Sequence, residues 1–148
     1  DTHFQNWGDF QGINQEAGWN VVSRIMTDLA SREFGNSGDS WLDHTVIVAT
    51  SDFARTAMLN ASNGRDHHLL NCCMIAGAGV RPGVYGRSTD LSMYPYAMDL
   101  TSGAPDEGGE IPRPTHILRT LLYLAGVTED GPRTRVDPIA ALLASGKR

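Results

Sequence analysis

The sequence lacks the features that mark several classes of protein. It has no apolar run of about 18 residues, so it predicts no membrane-spanning helix. Positive charge is scarce, because 12 basic residues stand against 17 acidic ones and the net charge is −5. This balance argues against nucleic acid as the main partner. Cysteine is limited to Cys72 and Cys73. Neighbours on a strand point to opposite faces, so we expect buried free thiols and no mutual disulfide.

The hydrophobic pattern that remains predicts an α/β fold with few, parallel strands. Hydrophobic residues make up 41% of the 148 positions and charged residues 20%, as in globular domains. Apolar periodicity and flanking Gly and Pro indicate three helices and two buried strands. The predicted helices are 17–34, 115–125 and 138–144, and the predicted strands are 45–50 and 71–76. Residues 51–70 read as a long polar loop, which is uncommon unless it has a function.

The start of the chain suggests a larger protein. Asp1 is a candidate ligand with no structural element before it, and two strands are few for a stable α/β sheet. We therefore expect residues 1–148 to form a single domain that is the C-terminal part of a larger one. The missing N-terminal half, or another chain, is then the expected partner.

Carboxylates and imidazoles concentrate in three short stretches, and these are the side chains that bind divalent cations. Asp1 and His3 lie in the opening DTH. Asp52 follows the strand at 45–50, at the end where open α/β sheets place their ligands. A capping role for Asp52 is the alternative. His67 and His68 lie in GRDHH, a stretch too polar for a core.

Two arginines lie beside these candidate ligands. Arg55 follows Asp52 by three residues, and Arg65 precedes the paired histidines. A guanidinium can hold an anionic group through two parallel hydrogen bonds, so both are candidate anion-binding residues. His44 and His116 start a strand and a helix, and we expect structural roles for both.

The order of the motifs resembles a known family. DTHFQN, TVIVATSDFART, NGRDHH, MIAGAGVRPGVYGRSTD and PTHILRTLLYLAG follow one another over residues 1–127. The set is similar to the C-terminal half of an uncharacterised sulfatase-like family within the alkaline phosphatase superfamily, typical of exported bacterial proteins. The resemblance implies an alkaline phosphatase-like α/β sandwich and a periplasmic or exported location.

The resemblance also implies a metal site. It assigns Asp1, His3, Asp52 and either His67 or His68 as metal ligands, with His67 favoured over its neighbour. Zinc is the most suitable cation for this mixed ligand set, with manganese, calcium or magnesium as alternatives. A small anionic ester is the implied substrate.

Two departures weaken a catalytic role. Phe53 follows Asp52, where the resemblance calls for a histidine ligand, and the expected nucleophile would lie outside this chain. No catalytic residue is therefore assigned. The first hypothesis is a part of a metal-dependent phosphate or sulfate ester hydrolase that is inactive alone. The second is a non-catalytic member of the same fold that acts as a structural or partner-binding module.

Overall fold

The computed structural model describes residues 3–4, 10–129, 131 and 134–145. It is a mixed α/β structure with two helices and two small sheets in this part of the chain. The elements are α1 (Gly12–Ser31), β1 (Val46–Thr50), β2 (Ala54–Arg55), β3 (His67–His68), β4 (Cys73–Gly77) and α2 (Pro114–Leu124). Two 3₁₀ helices cover Trp41–His44 and Ala140–Leu142. No helix among the described residues combines the length and the hydropathy needed to cross a membrane.

The chain divides into two compact units. The first comprises the described residues of Asp1–Thr45, Ala49–Met74 and Asp90–Met93, and the second those of Val46–Val48, Ile75–Thr89 and Tyr94–Arg148. A single domain that continues into a larger one stays a prediction.

Helix α1 is the longest element of the first unit. It begins five residues before the predicted start and ends three before the predicted end. Half of the predicted apolar stripe faces inward, since Val22, Met26 and Leu29 are half-buried. The rest of that stripe is exposed, namely Trp19, Ile25 and Ala30. Arg32 pairs with Asp28 one turn earlier, at 2.7 Å, but both side chains are largely exposed. Such a pair adds only about 0.3–0.5 kcal/mol.

The strands pair in two separate sheets. β1 pairs with β4, close to the two strands that the apolar runs predicted. β2 pairs with β3 in antiparallel fashion, with Ala54 opposite His68 and Arg55 opposite His67. The prediction of residues 51–70 as loop alone was therefore wrong, because a short hairpin forms within it. The β2–β3 sheet is antiparallel, so the prediction of parallel strands was wrong for this sheet, and the layered sandwich stays a prediction.

The cysteines differ from the expectation. Neither pairs in a disulfide, as predicted, but Cys72 is exposed and Cys73 only half-buried. Burial, with a smaller contribution from Cys72, raises the pKa of the Cys73 thiol. Cys72 lies just before β4 begins, between the half-buried residues Asn71 and Cys73. The expectation that both thiols are buried was therefore wrong.

The second unit has the most deeply buried residues. Met98, Ile139 and Ala141 form its core, and Tyr85, Leu100, Ile117 and Leu142 pack around them. Helix α2 starts at Pro114, as expected for proline in a first turn, and Gly126 follows its end with a φ of 84°. The predicted last helix is only a 3₁₀ turn.

His116 has the structural role expected of it. Its ring is 1% exposed, and Nδ1 accepts the backbone N–H of Arg113 at 3.0 Å. That acceptor role places the ring proton on Nε2 of the neutral imidazole, which then donates to Glu110 Oε2 at 3.1 Å. The buried ring thus caps the start of α2 and has a partner at each nitrogen.

Candidate functional site

The β2–β3 hairpin sets the geometry of the candidate site. Successive residues of a strand point to opposite faces, so the paired residues Arg55 and His67 share one face while Ala54 and His68 share the other. The hairpin continues into the loop through the backbone bond from Thr56 N–H to the Asp66 carbonyl, at 3.0 Å. Arg55 and His67 are thereby brought together from positions twelve apart in the sequence.

His3 reaches the hairpin through contacts with the turn at residues 60–64. The Asn60 side-chain amide donates to the His3 carbonyl at 3.0 Å, and Phe4 forms an antiparallel bridge with Asn63. Gly64 is buried under this segment. A β-carbon at that position would overlap the carbonyl group of His3 and the amide nitrogen of Phe4. Only glycine leaves the room that this backbone approach requires.

Four side chains form what we call the histidine–arginine cluster: His3, Phe53, Arg55 and His67. Nη1 of Arg55 lies 2.9 Å from Nε2 of His3. The rings of His3 and His67 have centroids 4.5 Å apart, and Phe53 stacks on His67 at 3.7 Å. The Arg55 guanidinium also lies over the Phe53 ring, 5.2 Å from its centroid. The cluster therefore joins two imidazoles, a guanidinium and an aromatic support.

The contact between Arg55 and His3 determines the state of the His3 ring. A guanidinium carries only donors and keeps its proton, so Nε2 of His3 must be the acceptor. The proton of this neutral imidazole is then on Nδ1. The same Nη1 also donates to the Arg65 carbonyl at 3.1 Å. Arg55 thus uses one nitrogen to tie the His3 segment to the hairpin loop.

Arg65 and Asp66 hold the loop between the two strands. Nη1 of Arg65 donates to the carbonyls of Thr56 and Ala57. Asp66 accepts a hydrogen bond from the Asn60 amide at 2.8 Å. These contacts brace the turn on which His3 rests. An anion-binding role for Arg65 stays a prediction.

The two adjacent histidines differ in their surroundings. His67 is exposed and contacts the rings of His3 and Phe53. His68 is half-buried on the opposite face of the strand, and its Nδ1 accepts the backbone N–H of Leu70 at 3.0 Å. His67 is therefore the histidine that belongs to the cluster.

Of the two candidate carboxylate ligands, the structure describes only Asp52. Asp52 is exposed just before the hairpin, and Asp1 lies outside the described residues. Within the described ranges, no group of three or more His, Cys, Asp or Glu side chains is arranged to hold a metal ion. The neighbouring Ser51 hydroxyl lies 2.8 Å from the Phe53 carbonyl and 3.2 Å from Asn71 Oδ1. The hydroxyl is thus turned toward the Phe53 carbonyl and the Asn71 side chain.

Sequence reasoning missed the residues that assemble the cluster. Phe53 was treated only as a missing ligand, although it supports both His67 and Arg55. Asn60 and Gly64 had no role, although they position His3. The Asn63-Gly64 pair was the available signal, since this dipeptide is frequent in turns between strands.

The comparisons with known proteins identify a family for which no function is known. A family model described as "Protein of unknown function (DUF1501)" matches residues 21–102, more than half of the chain. The chain belongs to this family. No curated protein and no solved structure matches it.

This result corrects the resemblance drawn from the motifs. The matching family is uncharacterised and is neither a sulfatase nor an alkaline phosphatase superfamily family, so the assignment to a sulfatase-like family was wrong. The motifs behind it were two apolar strands and a helix with the polar loops beside them, and this combination recurs in many folds in which loops follow buried strands. Any function must therefore be argued from the cluster itself.

Proposed function

We propose that the histidine–arginine cluster is part of a metal-dependent site that acts on a phosphate or sulfate ester. The observation that supports this most is the contact of His3 with Arg55 and His67, which lie more than about fifty residues later in the sequence. Imidazoles bind divalent cations, and guanidinium groups bind the oxyanions of phosphate and sulfate.

The described residues fit half of a zinc ligand set. Zinc takes four ligands, commonly imidazoles and carboxylates, and His3 and His67 offer two imidazoles in ring contact. Asp1 and Asp52 are the proposed carboxylate ligands. Zinc suits these donors best, ahead of manganese, calcium or magnesium. A bound cation would stabilise charge that develops on the ester oxygen.

The chain's own groups would bind and orient the substrate. Arg55 is half-buried and supported by the Phe53 ring, so its planar guanidinium is restrained before a ligand arrives. Restraint of this kind reduces the entropy lost when an anion is bound. Arg65 would act mainly by bracing the turn under His3, through its bonds to Thr56 and Ala57.

Turnover by this chain alone is proposed to be weak or absent. The Ser51 hydroxyl faces the Phe53 carbonyl and the Asn71 side chain, not a base that would activate it. A nucleophile supplied by the rest of a longer protein, or by another chain, would complete the site. Robust hydrolysis of a phosphomonoester by the 148-residue chain would contradict this part of the proposal. An exported location was implied only by the resemblance that the family match corrects, and it stays a prediction.

Metal binding is the direct test. We expect zinc to raise the midpoint of thermal unfolding, since a ligand at 100 times its Kd stabilises the folded state by about 2.7 kcal/mol. His67→Ala should abolish this shift. His68→Ala is the matched control, because His68 lies on the other face of the same strand, and it should keep the shift. Equal responses of the two variants, or no response of the wild type, would refute the proposal.

A second function, binding of a partner chain, is favoured by helix α1. The helix has 20 residues and none of them is buried. Three of its apolar side chains are largely exposed, namely Ile13, Val21 and Ile25 at 66%, 57% and 48%. Exposed apolar surface of this kind is typical of a site that binds another protein. Light scattering across a range of protein concentrations tests this reading. Self-association without any metal response would support it over the hydrolase proposal.

A further inference from the structure

The outward face of helix α1 carries a row of apolar side chains. Residues four apart on a helix lie one above the other. Four exposed apolar residues of α1 have this spacing, namely Ile13, Ala17, Val21 and Ile25. At 1.5 Å per residue the row is about 18 Å long, which is enough for a second helix to lie along it.

A row of polar residues runs beside the apolar one. Glu16, Asn20 and Arg24 are also four apart and exposed, and each comes one position before a residue of the apolar row. The next residue in this polar row, Asp28, pairs with Arg32. Within the described part of the chain, neither Glu16 nor Arg24 has a hydrogen bond or an ion pair. The polar row thus presents a negative charge near one end and a positive charge near the other, both available to a partner.

The apolar row is complementary to itself when a second copy of α1 lies antiparallel to the first. Such a pair has two-fold symmetry, so residue i of one copy lies across from residue j of the other, and j lies across from i. When the midpoint of the pair lies near residues 19–20, Ile13 lies across from Ile25 of the other copy. Ala17 then lies across from Val21. Each apolar residue of the row therefore meets an apolar residue.

The polar row is complementary to itself about the same midpoint. Glu16 of each copy lies across from Arg24 of the other, so the symmetric pair has two pairs of opposite charges. Asn20 meets the Asn20 side chain of the other copy. A parallel pair would instead place Glu16 against Glu16 and Arg24 against Arg24, and like charges repel. The charges therefore favour the antiparallel direction.

We propose that α1 binds the α1 helix of a second copy of this chain in antiparallel fashion. This inference rests on the second of the proposed functions, because it takes α1 as the surface that binds a partner chain. Contact between the two apolar rows supplies the affinity, and the two pairs of Glu16 with Arg24 fix the direction. Because only one face of one helix is covered in each copy, the dimer is weak and reversible.

Sedimentation equilibrium over a wide range of protein concentrations measures the self-association. Val21→Asp places a charge from each copy within the apolar contact, so this variant should stay monomeric. Ser23→Asp is the matched control, because Ser23 is exposed on the same helix and a residue two positions away does not share the face of Val21. The control should associate as the wild type does, and circular dichroism verifies that both variants are folded.

Exchange of the charges tests the antiparallel direction. Glu16→Lys places two positive charges across from each other at both ends of the pair, and Arg24→Glu places two negative charges there. Each single variant should self-associate about tenfold more weakly than the wild type, because two pairs change from attraction to repulsion. An equimolar mixture of the two variants should associate as strongly as the wild type, since opposite charges then meet at both ends.

These outcomes separate this inference from the proposed functions. If Val21→Asp abolishes self-association but the charge variants have no effect, or their mixture does not restore it, the antiparallel arrangement is overturned and binding through α1 stands. A wild type that stays monomeric, or that associates equally well with Val21→Asp, would overturn both. No substitution lies in the histidine–arginine cluster, so the response to zinc tests the metal site independently.

Discussion

Replacement of Gly64 by alanine tests whether the His3 segment rests on the hairpin turn. The added methyl group would overlap the His3 carbonyl and the Phe4 amide nitrogen, far inside the roughly 3.5 Å at which carbon atoms normally meet. Both obstructing groups are backbone, so no side chain can rotate away to relieve the overlap. Either the turn distorts or the His3 segment detaches from it.

The size of the effect follows from these two outcomes. Overpacking of a filled site costs about 1–3 kcal/mol. Detachment instead loses the bond from Asn60 to the His3 carbonyl and the contact between His3 and Arg55, at about 0.5–1.5 kcal/mol for a typical bond. We therefore expect the free energy of unfolding to fall by about 1–3 kcal/mol. In a protein of this size, each kcal/mol lowers the unfolding midpoint by about 2–4 °C. The stabilisation by zinc should also disappear.

Thermal unfolding followed by circular dichroism, with and without zinc, measures both effects. Gly18→Ala is the matched control, since Gly18 lies within α1 and a β-carbon there meets no atom within 4 Å. Alanine in a helix interior should stabilise the protein by up to about 1 kcal/mol. A Gly64→Ala protein with unchanged stability and an unchanged zinc response would show that His3 does not depend on this turn.

Two further predictions concern the second unit. Thr120→Val should lower the free energy of unfolding in urea by about 1–3 kcal/mol. The buried Thr120 hydroxyl accepts the Ile139 N–H at 2.8 Å, and valine would leave that donor unpaired. Thr115 is exposed on the same helix, so the control Thr115→Val should change the free energy of unfolding by less than about 0.5 kcal/mol. The Ser102 amide N–H bonded to Asp99 lowers the pKa of that carboxyl, with a smaller contribution from Thr101. A lowered folded-state pKa stabilises the protein above the unfolded-state value of about 3.9, and the contribution is lost as the pH falls through the folded-state pKa. Unfolding midpoints measured from pH 5 downward should therefore fall more in the wild type than in Asp99→Asn, and equal slopes would contradict this assignment.

The parts of the fold that were predictable depend on local pattern. β1 and β4 are continuous apolar runs, and α2 combines a proline start, an apolar stripe and a glycine after its end. Each of these signals lies within about a dozen residues, so no distant contact is needed to recognise them. The types of α1, α2, β1 and β4 were therefore predicted correctly, with shifts of up to five residues at their ends, whereas the predicted last helix is only a 3₁₀ turn.

The hairpin and the site geometry were not predictable in this way. β2 and β3 have only two residues each and lie in a polar segment, so they carry no periodic signal. Their pairing is accompanied by contacts between His3 and a turn some sixty residues later. The choice between His67 and His68 likewise depends on which face of β3 meets Arg55, and this requires the register. The residue types suggested candidate ligands, whereas the register of β2 and β3 was needed to show which of them lie together.

A comparison of two histidines favours a functional cluster over a purely structural one. His116 shows how this chain uses an imidazole for structure: the ring is 1% exposed and bonds to Arg113 and Glu110 through its two nitrogens. His67 is different, because its ring is exposed and packs against His3 and Phe53. Phe53 thus supports the ring that we propose as a ligand. A ring stacked on an exposed imidazole contributes little to the stability of a hydrophobic core, but it reduces the entropy that the imidazole loses when it binds a ligand.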